Sequence, residues 1–263
     1  MRILIHTLTA SFLILLCSYS NQALAQTDDN NEVEVKTKGD ANKVWTFDLH
    51  LMADFPKADM ATRFGTNYRI GFGIKYKTDR NWMIGAKLDF LIGNKIKEDS
   101  LLINVKTYQG SIIDQNGDLL NVGIFERGYL AGIQVGKVFN VLALNNNSGL
   151  MWMSTIGFMQ HKIKFFDKNN AFPQLNNEYK KGYDRLTNGA FLETFLGYNY
   201  MSKDRYLNFY TGLNLTWGFT QGRRTYLYDV ARTDQSKRKD VLIGLKLGWM
   251  LPIYKKTEEE LYY

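Results

Sequence analysis

Apolar and polar residues alternate with a period of two in eight segments of this chain, the signature of strands with one dry and one wet face. The clearest segment, VLIGLKLGWML, runs from Val241 to Leu251. Val241, Ile243, Leu245, Leu247, Trp249 and Leu251 form one unbroken apolar row, and Leu242, Gly244, Lys246, Gly248 and Met250 form the other. The same alternation places Trp45, Phe47, Leu49 and Leu51 on one face, with Thr46, Asp48 and His50 opposite. It recurs with Tyr68 to Tyr76 apolar against Arg69, Lys75 and Lys77, and with Trp82 to Phe90 against Lys87 and Asp89. Four further segments centre on Ile133, Ile156, Leu196 and Leu213, with Glu126, Thr155, Glu193 and Asn214 on their polar rows.

Connections between these segments alternate in length. Residues 78–81 (TDRN) and 201–205 (MSKDR) are tight, and 140–149 is intermediate. The stretches 54–66, 93–124, 163–187 and 220–239 are long. Short turns on one side and long loops on the other characterise membrane barrels. The pattern predicts an all-β fold, an eight-stranded antiparallel transmembrane up-and-down β-barrel over residues 44–253. An even strand count puts both termini on the side of the short turns, in the periplasm.

Composition narrows this picture. The chain has 263 residues, 22 glycines, 16 tyrosines, 16 phenylalanines and only three prolines, a balance that favours strands. Beyond residue 20 no apolar run approaches the roughly 18 residues of a membrane-crossing helix. A negative mean hydropathy still suits a barrel, because alternation halves the hydrophobicity of each strand. Arg2, the apolar run Leu8 to Leu16 and Ala23-Leu24-Ala25 read as a signal peptide over 1–25, cleaved before Gln26. The single cysteine, Cys17, falls inside it, so disulfide and thiol chemistry are not expected of the mature chain. Residues 26–43 read as a flexible polar segment, and 254–263 as a periplasmic tail.

A soluble, lipocalin-type barrel with the apolar row turned inward is the competing fold. Two features favour lipid outside. The polar rows combine glycines with charges of both signs, which suits a narrow packed lumen. Aromatic residues recur near strand ends (Trp45, Tyr68, Tyr76, Trp82, Tyr129, Tyr198, Tyr200, Trp249), as interfacial girdles require.

An eight-stranded lumen is filled by side chains. The inward charges Asp48, Arg69, Lys75, Lys87, Asp89, Glu126, Glu193 and Lys246 are therefore expected to neutralise one another, since unpaired ions there cost several kcal/mol. For Lys246 the expected partners are Asp89, Glu126 or Glu193. The inward histidines offer two acid–base pairings, His50 with Asp48 and His161 with Glu193, although buried, hydrogen-bonded histidines are the plainer reading. No catalytic residue, metal site or cofactor is assigned. HExxH, GxSxG, P-loop and Cys/His spacings do not occur. Asp114-Gln115-Asn116-Gly117-Asp118 starts like a calcium loop but lacks its distal glutamate, and reads as a tight turn.

Net charge is +7, and the long loops are basic. The third carries Lys164, Lys168, Lys180, Lys181 and Arg185; the fourth carries Arg223, Arg224, Arg232, Lys237, Arg238 and Lys239. The fourth loop is a candidate site for anionic outer-leaflet lipid or a protein partner. Loop aromatics including Tyr108, Phe165, Phe172, Tyr183 and Tyr228 are candidates to cover the barrel mouth.

The last strand carries Lys246-x-Gly248-x-x-Leu251-x-Ile253, a polar-x-Gly-x-x-apolar-x-apolar pattern. With it the chain resembles the small outer-membrane β-barrels of Bacteroidota, of the OmpA-like transmembrane class. The resemblance implies that Lys246, Gly248, Leu251 and Ile253 are read by the barrel assembly machinery. It implies location in the outer membrane, contact with lipid including lipopolysaccharide, and envelope protein partners. Some such barrels are accessory parts of the type IX secretion and gliding apparatus. The sequence departs from the usual pattern in continuing past Ile253 with YKKTEEELYY. Nucleic acid is not an expected partner. The expected function is a non-enzymatic structural or accessory component of an envelope complex, against a lipid-modifying barrel enzyme or a narrow solute or ion pathway.

Overall fold

The computed structural model describes residues 43–253, apart from 99, 121, 167–171, 173–174, 176–177 and 203–206. The expected signal peptide, the polar segment up to residue 42 and the tail 254–263 lie outside the described residues.

Eight strands close into a single barrel: β1 (Val44–Lys57), β2 (Asn67–Lys77), β3 (Trp82–Gly93), β4 (Gly123–Phe139), β5 (Gly149–Phe166), β6 (Thr187–Met201), β7 (Asn208–Gly222) and β8 (Lys237–Ile253). Each pairs antiparallel with its neighbours in chain order, and β1 closes on β8 from Trp45↔Ile253 to Lys57↔Val241. Closure leaves no barrel strand with an unpaired edge. Tight connections lie at one end, the turn end. The long connections lie at the other, the loop end.

Alternation decides which residues face which way. On every strand one parity is buried and the other exposed. The exposed parity is the apolar one: Ile133, Ile156 and Leu213 keep 65 %, 66 % and 61 % of their surface open. A soluble barrel of the lipocalin type reverses this arrangement, so that fold is ruled out by the direction of the pleat.

The strands run further toward the loop end than alternation alone predicts. β1 continues through Lys57 and β5 through Phe166, and β8 begins at Lys237. β4, β5 and β8 have 17, 18 and 17 residues, against the roughly 9–11 that cross a hydrocarbon layer. The loop ends of β1, β4, β5 and β8 carry outward Lys57, Arg127, Lys162, Lys164, Lys237 and Lys239, so the apolar row stops while the backbone ladder continues. The loop end also contains a short helix α1 (Ala58–Arg63) and two small hairpins, Ile112–Ile113 with Leu119–Leu120 and Arg224–Leu227 with Arg232–Asp234. The turn joining Ile113 to Leu119 is the DQNGD segment. Asp114 Oδ1 accepts from the amides of Asn116 (2.8 Å) and Asp118 (3.0 Å), and Gly117 takes φ +89°.

Candidate functional site

The barrel interior is layered. Its middle is a salt-bridged cluster assembled from β1, β2, β3 and β6. Arg69 Nε and Nη2 donate to Asp54 Oδ2 (2.6 Å) and Oδ1 (3.0 Å), and its Nη1 reaches Glu193 (2.8 Å) and Asp89 (3.4 Å). Lys87 binds Asp89 at 2.8 Å and also Glu193. Lys75 pairs with Asp48 Oδ1 at 2.8 Å. His50 links the two halves, with Nδ1 2.8 Å from Asp48 and Nε2 2.8 Å from Asp89. Tyr210 from β7 donates to Asp48 (2.7 Å), and Thr216 donates to Glu193 (3.0 Å). Four carboxylates (Asp48, Asp54, Asp89, Glu193) thus share this layer with four cations (Arg69, Lys75, Lys87, Lys246), all buried.

Glycine makes room for this cluster. A Cβ at Gly71 would lie 2.5 Å from both Asp89 Oδ1 and His50 Nε2, pressed against the side of their hydrogen bond. Gly248 similarly accommodates the Tyr210 ring, which packs directly on its backbone.

Apolar layers close both ends. Toward the turn end Met83, Val138, Met151, Met153, Phe195, Tyr210 and Met250 fill the lumen. Toward the loop end Leu91, Leu130, Met159, Phe191 and Leu242 meet Met60 of α1, Phe64 just after it, and Leu101 and Leu102 of the β3–β4 connection. Above this second layer Phe165, Phe172 and Tyr183 are buried, and Tyr183 contacts Tyr228 edge-on at 5.5 Å. Loop ion pairs hold the cover down. Arg185 binds Glu98 (2.7 Å) and Asp229 (2.5 Å), and Arg224 binds Asp184 (2.5 Å).

All eight inward charges singled out in the sequence lie inside the barrel, but two have other surroundings than expected. Lys246 has no carboxylate within 4.0 Å among the described residues. Its ammonium sits 5.8 Å from the Phe195 ring centre and 5.7 Å from that of Tyr210. Glu126 is near the loop end and accepts from Asn67 Nδ2 at 3.1 Å, without an ion pair among the described residues. Lys246 is toward the turn end, so the two cannot meet. His161 is hydrogen-bonded to Asp240 (3.0 Å), not Glu193. Its cross-strand partner on β6 is Thr187, six residues or about 20 Å along the strand from Glu193. His50 does pair with Asp48, and with Asp89 as well.

Asp54 was missed because it lies inside a stretch read as a loop, and Asp240 because it falls between such a stretch and the strand read from Val241. The available signal was parity: Asp54 continues the even row of Asp48, His50 and Met52, and Asp240 that of Leu242 and Gly244. Leu251 and Ile253 of the terminal pattern face outward opposite Phe47 and Trp45.

The basic residues of the fourth loop do not form one free patch. Arg224 and Arg238 are held by Asp184 and Asp234, and Arg223 donates to Asn188 (2.6 Å). Arg232, Lys237 and Lys239 are exposed. Lys168 lies outside the described residues. Among the described residues no group of three or more His, Cys, Asp or Glu side chains is arranged to hold a metal.

No family model matches the chain, and no curated protein sequence matches it. Among solved structures it is similar to Ail, the attachment invasion locus protein of Yersinia pestis, at 9 % identity and a TM-score of 0.42, covering 80 % of this chain and 100 % of Ail. It is likewise similar to Neisserial surface protein A, at 6 % identity and a TM-score of 0.42 over 78 % of this chain and 96 % of that one. For the outer membrane protein OprG of Pseudomonas aeruginosa the figures are 12 %, 0.32, 81 % and 97 %.

Proposed function

We propose that the chain is an integral outer-membrane barrel that serves as a non-enzymatic structural or docking component of an envelope protein assembly. The observation that carries the membrane part is the outer wall, apolar and exposed on all eight strands between the two ends. In water such a surface would be an aggregation hazard, and in lipid it is the stable arrangement. The long loops then face outside the cell and both barrel termini face the periplasm.

The interior supports a structural role. A charge layer whose four carboxylates are each paired to a buried cation, between two apolar layers, offers neither a continuous polar path nor an open cleft among the described residues. The enzyme reading requires a reactive group at a surface that lipid can reach, whereas His50 and His161 are each 1 % exposed. The resemblance to small Bacteroidota barrels suggests a type IX secretion and gliding apparatus as the kind of assembly served.

Affinity purification from gently solubilised membranes tests this reading. Specific co-purification of envelope proteins is the expected result, and recovery of the monomer alone defeats the docking role. Loss of a lipid modification on replacing His50 and His161 together establishes the enzyme instead.

A further inference from the structure

Outward side chains at the loop ends of β4 and β5 form a cationic cluster that has no counter-charge among the described residues. Arg127 and Lys162 are direct cross-strand partners, both on the outer face. Like charges placed opposite one another in this way destabilise a sheet. Lys164, the next outward residue of β5, adds a third cation, and Lys180 from the β5–β6 loop borders the same cleft of about 540 Å³. Among the described residues Lys162, Lys164 and Lys180 form no ion pair. Among the described residues Arg127 donates to the carbonyls of Glu126 (2.7 Å) and Gly93 (3.3 Å) and to no carboxylate. Asp184, the one acid on the cleft among the described residues, is already bound by both Nε (2.7 Å) and Nη2 (2.5 Å) of Arg224.

Directly below the cations the wall becomes apolar. Phe90 and Ile92 line the cleft, and Tyr129 packs on Phe158 with ring centres 6.2 Å apart. From rim to belt the surface therefore presents several positive charges and then an aromatic, aliphatic slope. An amphiphile with phosphate groups at its head and acyl chains beneath is complementary to both parts.

We infer that this outer-wall cleft is a binding site for a phosphorylated glycolipid of the outer leaflet, with Arg127, Lys162 and Lys164 contacting its phosphates. The inference rests on the membrane reading above, and it adds a specific site, distinct from the fourth loop, and the phosphate groups that it reads. Several charge-assisted contacts to phosphate outweigh the repulsion between Arg127 and Lys162.

The test uses the full chain in nanodiscs, with native mass spectrometry reading the retention of added diphosphoryl lipid A. Wild type is expected to retain it, and Arg127→Gln/Lys162→Gln to weaken retention about tenfold. Lys162→Arg should keep it. Dephosphorylated lipid A and phosphatidylglycerol should bind the wild type more weakly than the diphosphoryl form. Equal retention by the double variant overturns the site, and equal binding of either control lipid overturns the glycolipid assignment. Heat-modifiable migration on gels checks that each variant forms a barrel. A wild-type chain that does not enter lipid at all refutes the membrane reading, a failure recognisable separately from loss of the site.

Discussion

Arg69 and Lys246 are both buried cations of one lumen, yet their surroundings predict different consequences of removal. Arg69 bridges Asp54, Asp89 and Glu193, so Arg69→Met strands carboxylates in a closed interior. Breaking a buried pair in this way costs about 3–5 kcal/mol. Lys246 lies over two rings without an adjacent carboxylate, and Lys246→Met should cost clearly less. Urea unfolding of both variants in lipid vesicles measures the difference, and equal losses would contradict the assigned pairing. At Gly71 the added methyl of Gly71→Ala overlaps both atoms of the His50–Asp89 hydrogen bond. Overpacking of this kind predicts a loss of about 1–3 kcal/mol in the same assay.

At the scale of elements, the wall and the loop cover obey different rules. Leu245 is in mid-strand on β8, outward and exposed between Ala53 and Leu213. Leu245→Arg should therefore cost about 2–4 kcal/mol when folding is measured in bilayers. The fourth loop depends on Arg238, whose Nη2 donates to both oxygens of Asp234 at 2.7 Å. Burial pushes the Asp234 carboxyl up, but the Arg238 guanidinium holds it below the usual range. A depressed carboxylate contributes stability above its unfolded value of about 3.9 and loses it as pH falls through the lower folded value. Amide protection over residues 223–236 should accordingly drop between pH 5 and strongly acidic buffer, to about the level that Asp234→Asn shows at both. Unchanged protection would show that the clamp contributes little.

For the whole molecule, the order of layers matters more than any single pair. A charged middle between apolar ends makes the lumen a core, with the carboxylates Asp48, Asp54, Asp89 and Glu193 each paired to a buried cation. The intact protein should give no stable conductance step in planar bilayers. Sustained, reproducible steps would sink the sealed-lumen reading and favour an ion path through the Asp48–His50–Asp89 chain.

Much of this was legible from alternation. Because the side-chain period along a strand is two, the identity of Leu245 or Phe72 already determines the face of Lys246 or Gly71. The strand count, the inward direction of all eight charges and the position of the tight turns therefore follow from sequence. Partnership does not. Which carboxylate meets which cation depends on the stagger of strands around a closed barrel, a quantity absent from any one strand. That stagger brings Asp240 to His161, carries Glu193 to Arg69 and leaves Lys246 over aromatic rings. Strand ends were hidden for a related reason: past the apolar belt the outward row turns basic, so hydropathy stops reporting a ladder that backbone hydrogen bonds continue. The sequence by itself determined which side of each strand is wet, because that is a local property of the pleat. Only the tertiary structure decided the ion-pair partners, the two sealing layers and the cationic cleft on the outer rim, because each is made by residues brought together by barrel closure.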